Sequence, residues 1–265
     1  MEIKQQHVQH GQTTISYTVQ GSGQAVILLP SLGRGPGDFD LLASLLAKRA
    51  MKVIRPSPRG LGESQGPSGP ITLHDFADDM AAVIRQEGTP DAVIAGHAFG
   101  NFVARTTASD HPSLVRGVVL LAGSPGKTAD GQPSIPPEVL KSVYASSNLE
   151  LQDDERLDHL KKAFFAPGND PSAWLEGWYP DLKAFQTVAW GATSVDEFFA
   201  AGSVPLLDLQ AELDTVAPRS NAHFLKDTLG DRVTIQVIPG AGHALIPERP
   251  QEVAEAIVEW VGRLR

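Results

Sequence analysis

The sequence predicts an α/β protein built on a mostly parallel β-sheet with helices on both of its faces. Short apolar runs alternate with segments of helical periodicity over residues 1–124, and the alternation resumes over residues 201–265. This pattern is typical of parallel strands joined by crossover helices. With 265 residues, 42% of them hydrophobic, the chain is long enough for one large domain with a sizeable core.

The first part of the chain opens with a predicted hairpin, in which the alternating segments Ile3–Gln9 and Thr13–Val19 flank a Gly-containing turn. Short apolar runs then predict the strands Ala25–Leu29, Met51–Arg55, Ala92–Ala95 and Gly117–Leu121. Helical periodicity predicts helices over Phe39–Arg49, from a Thr72 cap to about Gln86, and over Phe102–Ser109.

The second part repeats the alternation after an interruption. It predicts the strand Val204–Leu209, a helix near Arg219–Leu229, the strand Arg232–Ile238 and a final helix Pro250–Leu264. Residues 125–200 show no convincing strand pattern but contain three of the four tryptophans, Trp174, Trp178 and Trp190. Such an insertion either has a small core of its own or forms a cap whose aromatic side chains line an apolar pocket, and we favour the cap. The predicted organisation is therefore a core of residues 1–124 and 201–265 with a helical cap over 125–200.

The composition restricts the class of protein. A formal net charge of −9 argues against non-specific binding to nucleic acid, which requires a basic surface. The lack of cysteine excludes a thiol nucleophile, disulfides and thiolate metal sites, and it fits a reducing compartment. The N-terminus lacks the apolar core of a signal peptide, and no apolar run approaches the roughly 18 residues of a membrane span. We therefore expect a cytoplasmic protein that binds neither nucleic acid nor a membrane, and the sequence does not indicate its oligomeric state.

One motif stands out because a nucleophile is missing from it. Gly96-His-Ala98-Phe-Gly100 follows a predicted strand and precedes a predicted helix. Its glycines have the spacing of the G-x-S-x-G nucleophile elbow, in which the central side chain lies on a strained turn at the end of a strand. A side chain at either glycine would clash with the backbone packed against such a turn. At the central position the sequence has alanine instead of serine.

Four further segments occur in a recognisable order: Val26–Leu32, Pro58–Ser64, Pro205–Pro218 and Ile238–His243. Together with the Ala98 motif they resemble the α/β-hydrolase fold family over nearly the whole chain. They are similar, respectively, to the family's oxyanion strand and loop, its Arg-Gly-x-Gly-x-Ser loop, its acid-bearing segment and its histidine loop. The resemblance implies an eight-stranded, mostly parallel sheet with a helical cap.

The resemblance also implies roles for particular residues. His243 is expected to be the general base, since an imidazole exchanges protons near neutral pH, and Asp214 is the acid that orients it. Asp208 and Glu212 are rivals to Asp214 whose offset to Pro218 fits less well.

The implied oxyanion donors are the backbone amides of Leu32 and Phe99. Pro30-Ser31 replaces the family's His-Gly here, and Ser31 either closes a turn or points into the pocket. His97 is expected to pack against the sheet, although it is also a candidate for the pocket wall, as are Trp174, Trp178 and Trp190.

No cofactor or metal is implied. The histidines show no H-E-x-x-H or similar ligand spacing, and Gly21-Ser-Gly23 lacks the remaining glycine of a dinucleotide fingerprint. Gly126-Lys-Thr128 ends like a phosphate-binding loop, but Leu121 occupies the position of its first glycine.

The alanine at position 98 leaves three hypotheses. The first is an enzyme acting on a small, largely apolar ester, lactone or related carbonyl compound, with His243 and Asp214 working without a serine nucleophile. The second is a serine ester or lactone hydrolase inactivated by a Ser→Ala change. The third is a non-catalytic protein that binds a small molecule on the hydrolase fold.

Overall fold

The computed structural model describes residues 2–128, 131 and 135–264. It contains an eight-stranded sheet with the strand order β1-β2-β4-β3-β5-β6-β7-β8. The strands are β1 Ile3–His10, β2 Thr13–Gly21, β3 Gln24–Leu29, β4 Met51–Pro56, β5 Ala92–His97, β6 Val115–Leu121, β7 Leu206–Ala211 and β8 Val233–Ile238. β2 runs antiparallel to β1 and β4, and the pairs from β4 through β8 are parallel. The predicted mostly parallel α/β sheet is confirmed.

The central strands are buried on both faces, which explains why their sequences are continuous apolar runs. In β3, Ala25, Ile27 and Leu29 belong to one hydrophobic core, whereas Val26 and Leu28 belong to another on the opposite face. Because successive strand side chains point to opposite faces, one short run contributes to both cores.

Helices cover both faces of this sheet. They are α1 Asp40–Lys48, α2 Leu73–Gln86, α3 Phe99–Asp110, α4 Pro137–Ser146, α5 Asp153–Ala163, α6 Pro180–Gly191, α7 Val195–Phe198, α8 Arg219–Leu229, α9 Leu245–Glu248 and α10 Pro250–Arg263. The buried residues of α1 and α10 share one core, and those of α2, α3 and α8 share the other. Among the described residues, no helix is both long and apolar enough to span a membrane.

Two predicted helix starts had different outcomes. The helix after Thr72 begins as predicted, with a capping box in which the Thr72 amide donates to the Asp75 carboxylate at 2.8 Å. The helix predicted from Phe102 begins at Phe99 instead. Gly100 and Asn101 have low intrinsic helix propensity, but close packing against β3 and β5 overrides that propensity here.

The segment between β6 and β7 is helical where the structure describes it, with α4 to α7 and no strand of the sheet. Part of it has a separate hydrophobic cluster, in which Phe164, Phe165, Trp174 and Trp178 pack with Ala244 from the loop before α9. Phe198 and Phe199, at the other end of the segment, join the core of the sheet. The segment therefore combines a small core of its own with direct packing on the sheet, and we call it the helical insertion, residues 125–200.

Candidate active site

Ala98 lies on a sharp turn between β5 and α3, with φ +46° and ψ −108°. A Cβ at Gly96 would lie 2.2 Å from the carbonyl carbon of Gly100, and a Cβ at Gly100 would lie 2.4 Å from the Leu29 carbonyl oxygen. Both contacts are far too short for a side chain, which confirms the predicted reason for the glycines. Ala98 is partly exposed although its immediate neighbours are buried, so its methyl group faces an open space.

His243 and Asp214 meet beside this turn. The Nδ1 atom of His243 lies 3.0 Å and 3.1 Å from the two carboxylate oxygens of Asp214, and both side chains are buried. Since a carboxylate only accepts, Nδ1 carries the proton and donates it. The Nε2 atom is then the unprotonated nitrogen of the neutral ring, and it has no hydrogen-bond partner among the described residues. The imidazole is thus held in the tautomer that a general base requires.

Backbone amides, in addition to His243, hold the carboxylate of Asp214 in place. Its Oδ1 atom also accepts hydrogen bonds from the amides of Val216 and Ala217, each at 2.8 Å. The two rival carboxylates lie elsewhere. Glu212 accepts from the Gly240 amide, and Asp208 is buried within β7, where it accepts from Gln210. Of these three acidic groups, Asp214 is the one that contacts His243.

His97 packs against His243 and the loop that carries it. Its Nε2–H donates to the backbone carbonyl of His243 at 2.9 Å, and its ring lies between those of His243 and Trp174. Complete burial is the main cause that lowers the pKa of His97 to about 3, so the ring is neutral at physiological pH. His97 thereby holds the backbone of the His243 loop.

A cavity of about 570 Å³ opens over Ala98 and His243 at the carboxyl edge of the sheet. Among its lining residues are Ser31, Leu32, Phe99, Phe102, Ile135, Leu140, Val143, Tyr144, Phe164, Trp178, Lys183, Trp190 and Val216. Of the candidate pocket residues, Ser31, Trp178 and Trp190 line this cavity. His97 and Trp174 are buried behind its wall, in contact with each other. Ser31 also closes a turn, since its carbonyl accepts from the Arg34 amide at 3.1 Å.

The Leu32 and Phe99 amides reach the same edge of the sheet. Leu29 pairs with Gly96 in the parallel register of β3 and β5. Leu32 lies three residues after Leu29, and Phe99 lies three residues after Gly96. Both residues line the cavity. Among the described residues, no hydrogen bond uses either amide as donor, so both amides are available to a ligand.

Sequence reasoning missed two residues that hold these loops in place. Arg34 is buried, with two hydrogen bonds to Asp38 and one to the Glu176 carbonyl, and its guanidinium lies 4.8 Å and 4.6 Å from the rings of Trp174 and Trp178. No sequence pattern distinguishes a buried arginine from an exposed one.

The second missed residue is Glu248 in the short helix α9. Its carboxylate accepts from the amides of Ala166 and Gly242, both at 2.7 Å, and from the side-chain amide of Asn169 at 2.6 Å. Glu248 therefore joins the residue before His243 to the helical insertion. A four-residue helix is too short to give a periodic signal, so the sequence did not reveal it.

In the part of the chain that the structure describes, no group of three or more histidine, aspartate or glutamate side chains could hold a metal ion.

Comparisons with known proteins agree with this arrangement. The sequence model of the alpha/beta hydrolase family matches residues 26–256. 2-(Acetamidomethylene)succinate hydrolase of Mesorhizobium japonicum is 28% identical over 174 residues, which cover 66% of this chain and 55% of that protein, so the match spans about half of the relative's length. Pimeloyl-acyl-carrier-protein methyl ester esterase of Yersinia pestis is 26% identical over 257 residues, covering 92% of this chain and 95% of the esterase. A crystal structure of bromoperoxidase from Bacillus anthracis superimposes with a TM-score of 0.80 at 18% identity, covering 98% of this chain and all of that chain, which shows the shared fold.

Proposed function

The chain belongs to the alpha/beta hydrolase family and is a hydrolase-like enzyme, and from that premise we propose that it hydrolyses a small, largely apolar ester, lactone or related carbonyl compound without a serine nucleophile. The observation that carries the proposal is the hydrogen bond of 3.0 Å from His243 Nδ1 to the Asp214 carboxylate. His243 lines the same cavity as Ala98, Leu32 and Phe99, and the amides of Leu32 and Phe99 are free to donate.

In this proposal Ala98 stands at the centre of a nucleophile elbow, and its methyl group leaves room for a water molecule where a serine hydroxyl would lie. The Nε2 atom of His243 takes a proton from that water, and the hydroxide attacks the carbonyl carbon of the substrate. Asp214 stabilises the imidazolium that forms.

The proposed oxyanion hole consists of the Leu32 and Phe99 amides, which stabilise the negative charge that develops on the carbonyl oxygen. His243 then returns its proton to the leaving alkoxide, so that ester and water give acid and alcohol. Removing the nucleophile from a triad enzyme leaves roughly 10³–10⁴-fold catalysis over water, so a site of this kind retains substantial rate enhancement.

The helical insertion supplies the apolar side of the cavity in this proposal. Phe164, Trp178 and Trp190 come from it and face the edge of the sheet that carries His243. We therefore propose that the insertion acts as a cap, which excludes bulk water and holds the apolar part of the substrate.

The proposal is tested with 4-nitrophenyl esters of short carboxylic acids and with simple lactones. Replacing His243 with alanine removes the general base, so we expect kcat to fall about 10²–10⁴-fold. Asp214→Asn should also lower kcat, because a neutral amide at this position no longer stabilises the imidazolium. His159→Ala, a histidine on α5 outside the cavity, serves as the matched control and should leave kcat unchanged.

Ala98→Ser separates the hypotheses. The chain with Ala98 should show no acyl-enzyme by intact mass spectrometry under turnover, whereas the serine variant should form one. Turnover that survives in His243→Ala, or that occurs only after serine is introduced, would overturn the proposed mechanism. A ligand that binds tightly and is never converted would favour a binding protein.

A further inference from the structure

Two lysines line the cavity, and they differ in their surroundings. Lys127 forms an ion pair with Asp196. Lys183, on α6, has no carboxylate within 4.0 Å among the described residues. Its Nζ atom donates to the Ser147 hydroxyl at 2.6 Å and lies 4.9 Å from the centre of the Tyr144 ring. Lys183 is thus a cavity-lining cation without a counter-ion in the described chain.

The hydrogen bonds around Lys183 leave donors unused. Ser147 gives its own proton to the Tyr144 carbonyl at 3.0 Å, so its oxygen is free to accept from the ammonium group. An ammonium has three donors, and the Ser147 hydroxyl takes one of them. Among the described residues nothing else accepts from Nζ, which leaves two donors for a ligand.

The surroundings of Lys183 also disfavour the charge of its ammonium group. Lys183 is half-buried, and desolvation lowers the pKa of its ammonium group. The chain has 31 acidic residues and a net charge of −9, yet none of the described ones is placed beside this cation. A ligand with a negative charge would supply the missing partner.

We propose that Lys183 binds a carboxylate of the substrate at the end remote from the reacting carbonyl. Lys183 and Tyr144 line both this cavity and an adjoining, more open hollow of about 640 Å³, so they lie where the two meet, whereas Ala98 and His243 line the first cavity alone. Much of the remaining lining is apolar, including Leu140, Val143 and Phe164. The substrate class is therefore an ester with an apolar middle and a carboxylate at its far end.

One positive charge favours a single negative charge. A carboxylate would be neutralised by Lys183, whereas a phosphate dianion would bring an uncompensated charge into a largely apolar cavity. This assignment rests on the proposed function, since it names the substrate class of the same site.

The test compares two esters that differ only at the far end. One is the 4-nitrophenyl monoester of a straight-chain dicarboxylic acid, and the other is the same 4-nitrophenyl ester with its free carboxylate capped as a methyl ester. A charge-assisted hydrogen bond is worth about 10- to 100-fold in affinity. We expect the protein to favour the monoester by that factor in kcat/KM, and Lys183→Met to abolish the preference by lowering kcat/KM for the monoester more than kcat/KM for the neutral diester.

Three further variants make the test specific. Lys183→Arg keeps the charge and should keep most of the preference. Lys162→Met removes an exposed lysine on α5, and Lys127→Met removes the cavity lysine that is already paired, so both should retain the preference. Equal loss of the preference in Lys127→Met and Lys183→Met would overturn the assignment. It would show that the preference comes from the overall positive electrostatic potential of the cavity and not from a contact with Lys183.

Binding separates this proposal from the proposed function. The monoamide of the same dicarboxylic acid is not readily hydrolysed, and its affinity can be followed through the fluorescence of Trp178 and Trp190. Carboxylate-dependent binding that Lys183→Met weakens, without turnover of any ester, would support the carboxylate site and contradict hydrolysis. Turnover of both esters at equal rates by the unmodified protein would support hydrolysis and overturn the carboxylate site.

Discussion

Ala98 keeps a strained backbone although it carries no reactive group. A non-glycine residue at φ +46° has an unfavourable conformation, and such strain persists only where the surrounding structure enforces it. Here the enforcing contacts are those of Gly96 and Gly100 with the neighbouring backbone. The turn depends on these flanking contacts and not on the side chain of residue 98. Ala98→Ser should therefore leave the backbone unchanged, so that any difference in activity reports on the hydroxyl group alone.

Asp208 is a buried acid that the proposed chemistry does not use. It is fully buried in β7, its Oδ2 atom accepts from Gln210 at 2.9 Å, and its Oδ1 atom has no partner among the described residues. Burial is the main cause that raises the pKa of Asp208 to about 7, although Gln210 and the charge of Arg105 oppose this effect. The folded protein therefore binds a proton here that an unfolded aspartate would release near pH 4.

This proton makes the free energy of unfolding depend on pH. Since the folded pKa is the higher one, the stabilising contribution is complete below about pH 4 and is lost as the pH rises to about 7. An asparagine side chain mimics the protonated acid at every pH. We therefore expect Asp208→Asn to match the unmodified protein near pH 4 and to become more stable than it towards pH 7, by up to about 1.4 kcal/mol per pH unit.

Urea denaturation at a series of pH values measures this difference. The exposed Asp154→Asn on α5 is the matched control and should show no such trend. A stability difference between Asp208→Asn and the unmodified protein that stays constant from pH 4 to 8 would contradict a raised pKa for Asp208.

At the residue scale, the sequence indicated candidate residues on loops whose motifs resemble those of the family, namely His243, Asp214, Leu32 and Phe99. The structure brings these four residues to one edge of the sheet. Arg34, Lys183 and Glu248 were missed because their importance depends on burial and on partners from distant parts of the chain, which no local pattern reveals.

Element ends show a similar division. The helices α2 and α8 were predicted at their observed bounds, since both lie between clear breakers. The start of α3 was placed too late because its first turn is held by tertiary contacts, and α9 was missed because four residues give no periodicity. Local propensity therefore predicts isolated ends better than ends packed at the site.

His74 joins three helices at the surface. It lies on α2, and its two ring nitrogens lie 2.7 Å from the Asp110 carboxylate, at the end of α3, and 3.0 Å from that of Glu197, on α7. The hydrogen bond to Asp110 is the main cause that raises the pKa of His74, and the bond to Glu197 adds to it. Both nitrogens can donate at once only when the imidazole is protonated.

The attachment of α7 should consequently depend on pH. Because the folded pKa of His74 is raised, its contribution is present below the unfolded value of about 6.5 and is lost as the pH rises through the folded value. We expect faster amide hydrogen exchange in residues 194–200 at pH 8.5 than at pH 6, after correction for the intrinsic rate. His74→Gln should remove this difference. A difference that persists in His74→Gln would show that another group controls α7.

At the scale of the whole molecule, the helical insertion is tied to the sheet at several places. The amide of Gly33 donates to the Gln186 side chain at 2.7 Å, and the Tyr179 amide donates to the Gly33 carbonyl at 2.9 Å.

Arg105 on α3 donates to carbonyls at both ends of the insertion, namely those of Ser124, Pro125 and Phe199. These contacts run through the loop that carries Leu32 and through the helix that begins at Phe99. The predicted boundary at 125–200 thus marks a change of pattern in the sequence, and we expect it not to mark an independent folding unit.

Cooperative unfolding tests this expectation, because the tryptophans distinguish the two parts of the chain. Three of the four lie in the insertion, so fluorescence reports on it, whereas far-UV circular dichroism reports on the whole chain. We expect the two signals to change together in urea, as in a two-state transition. Arg34→Met should move both by the same amount and lower the free energy of unfolding by about 3–5 kcal/mol, because it leaves the largely buried carboxylate of Asp38 without its partner. The exposed Arg85→Met on α2 should have little effect. If the fluorescence changed at lower urea than the dichroism, the insertion would be a separate unit that closes over a sheet already folded without it.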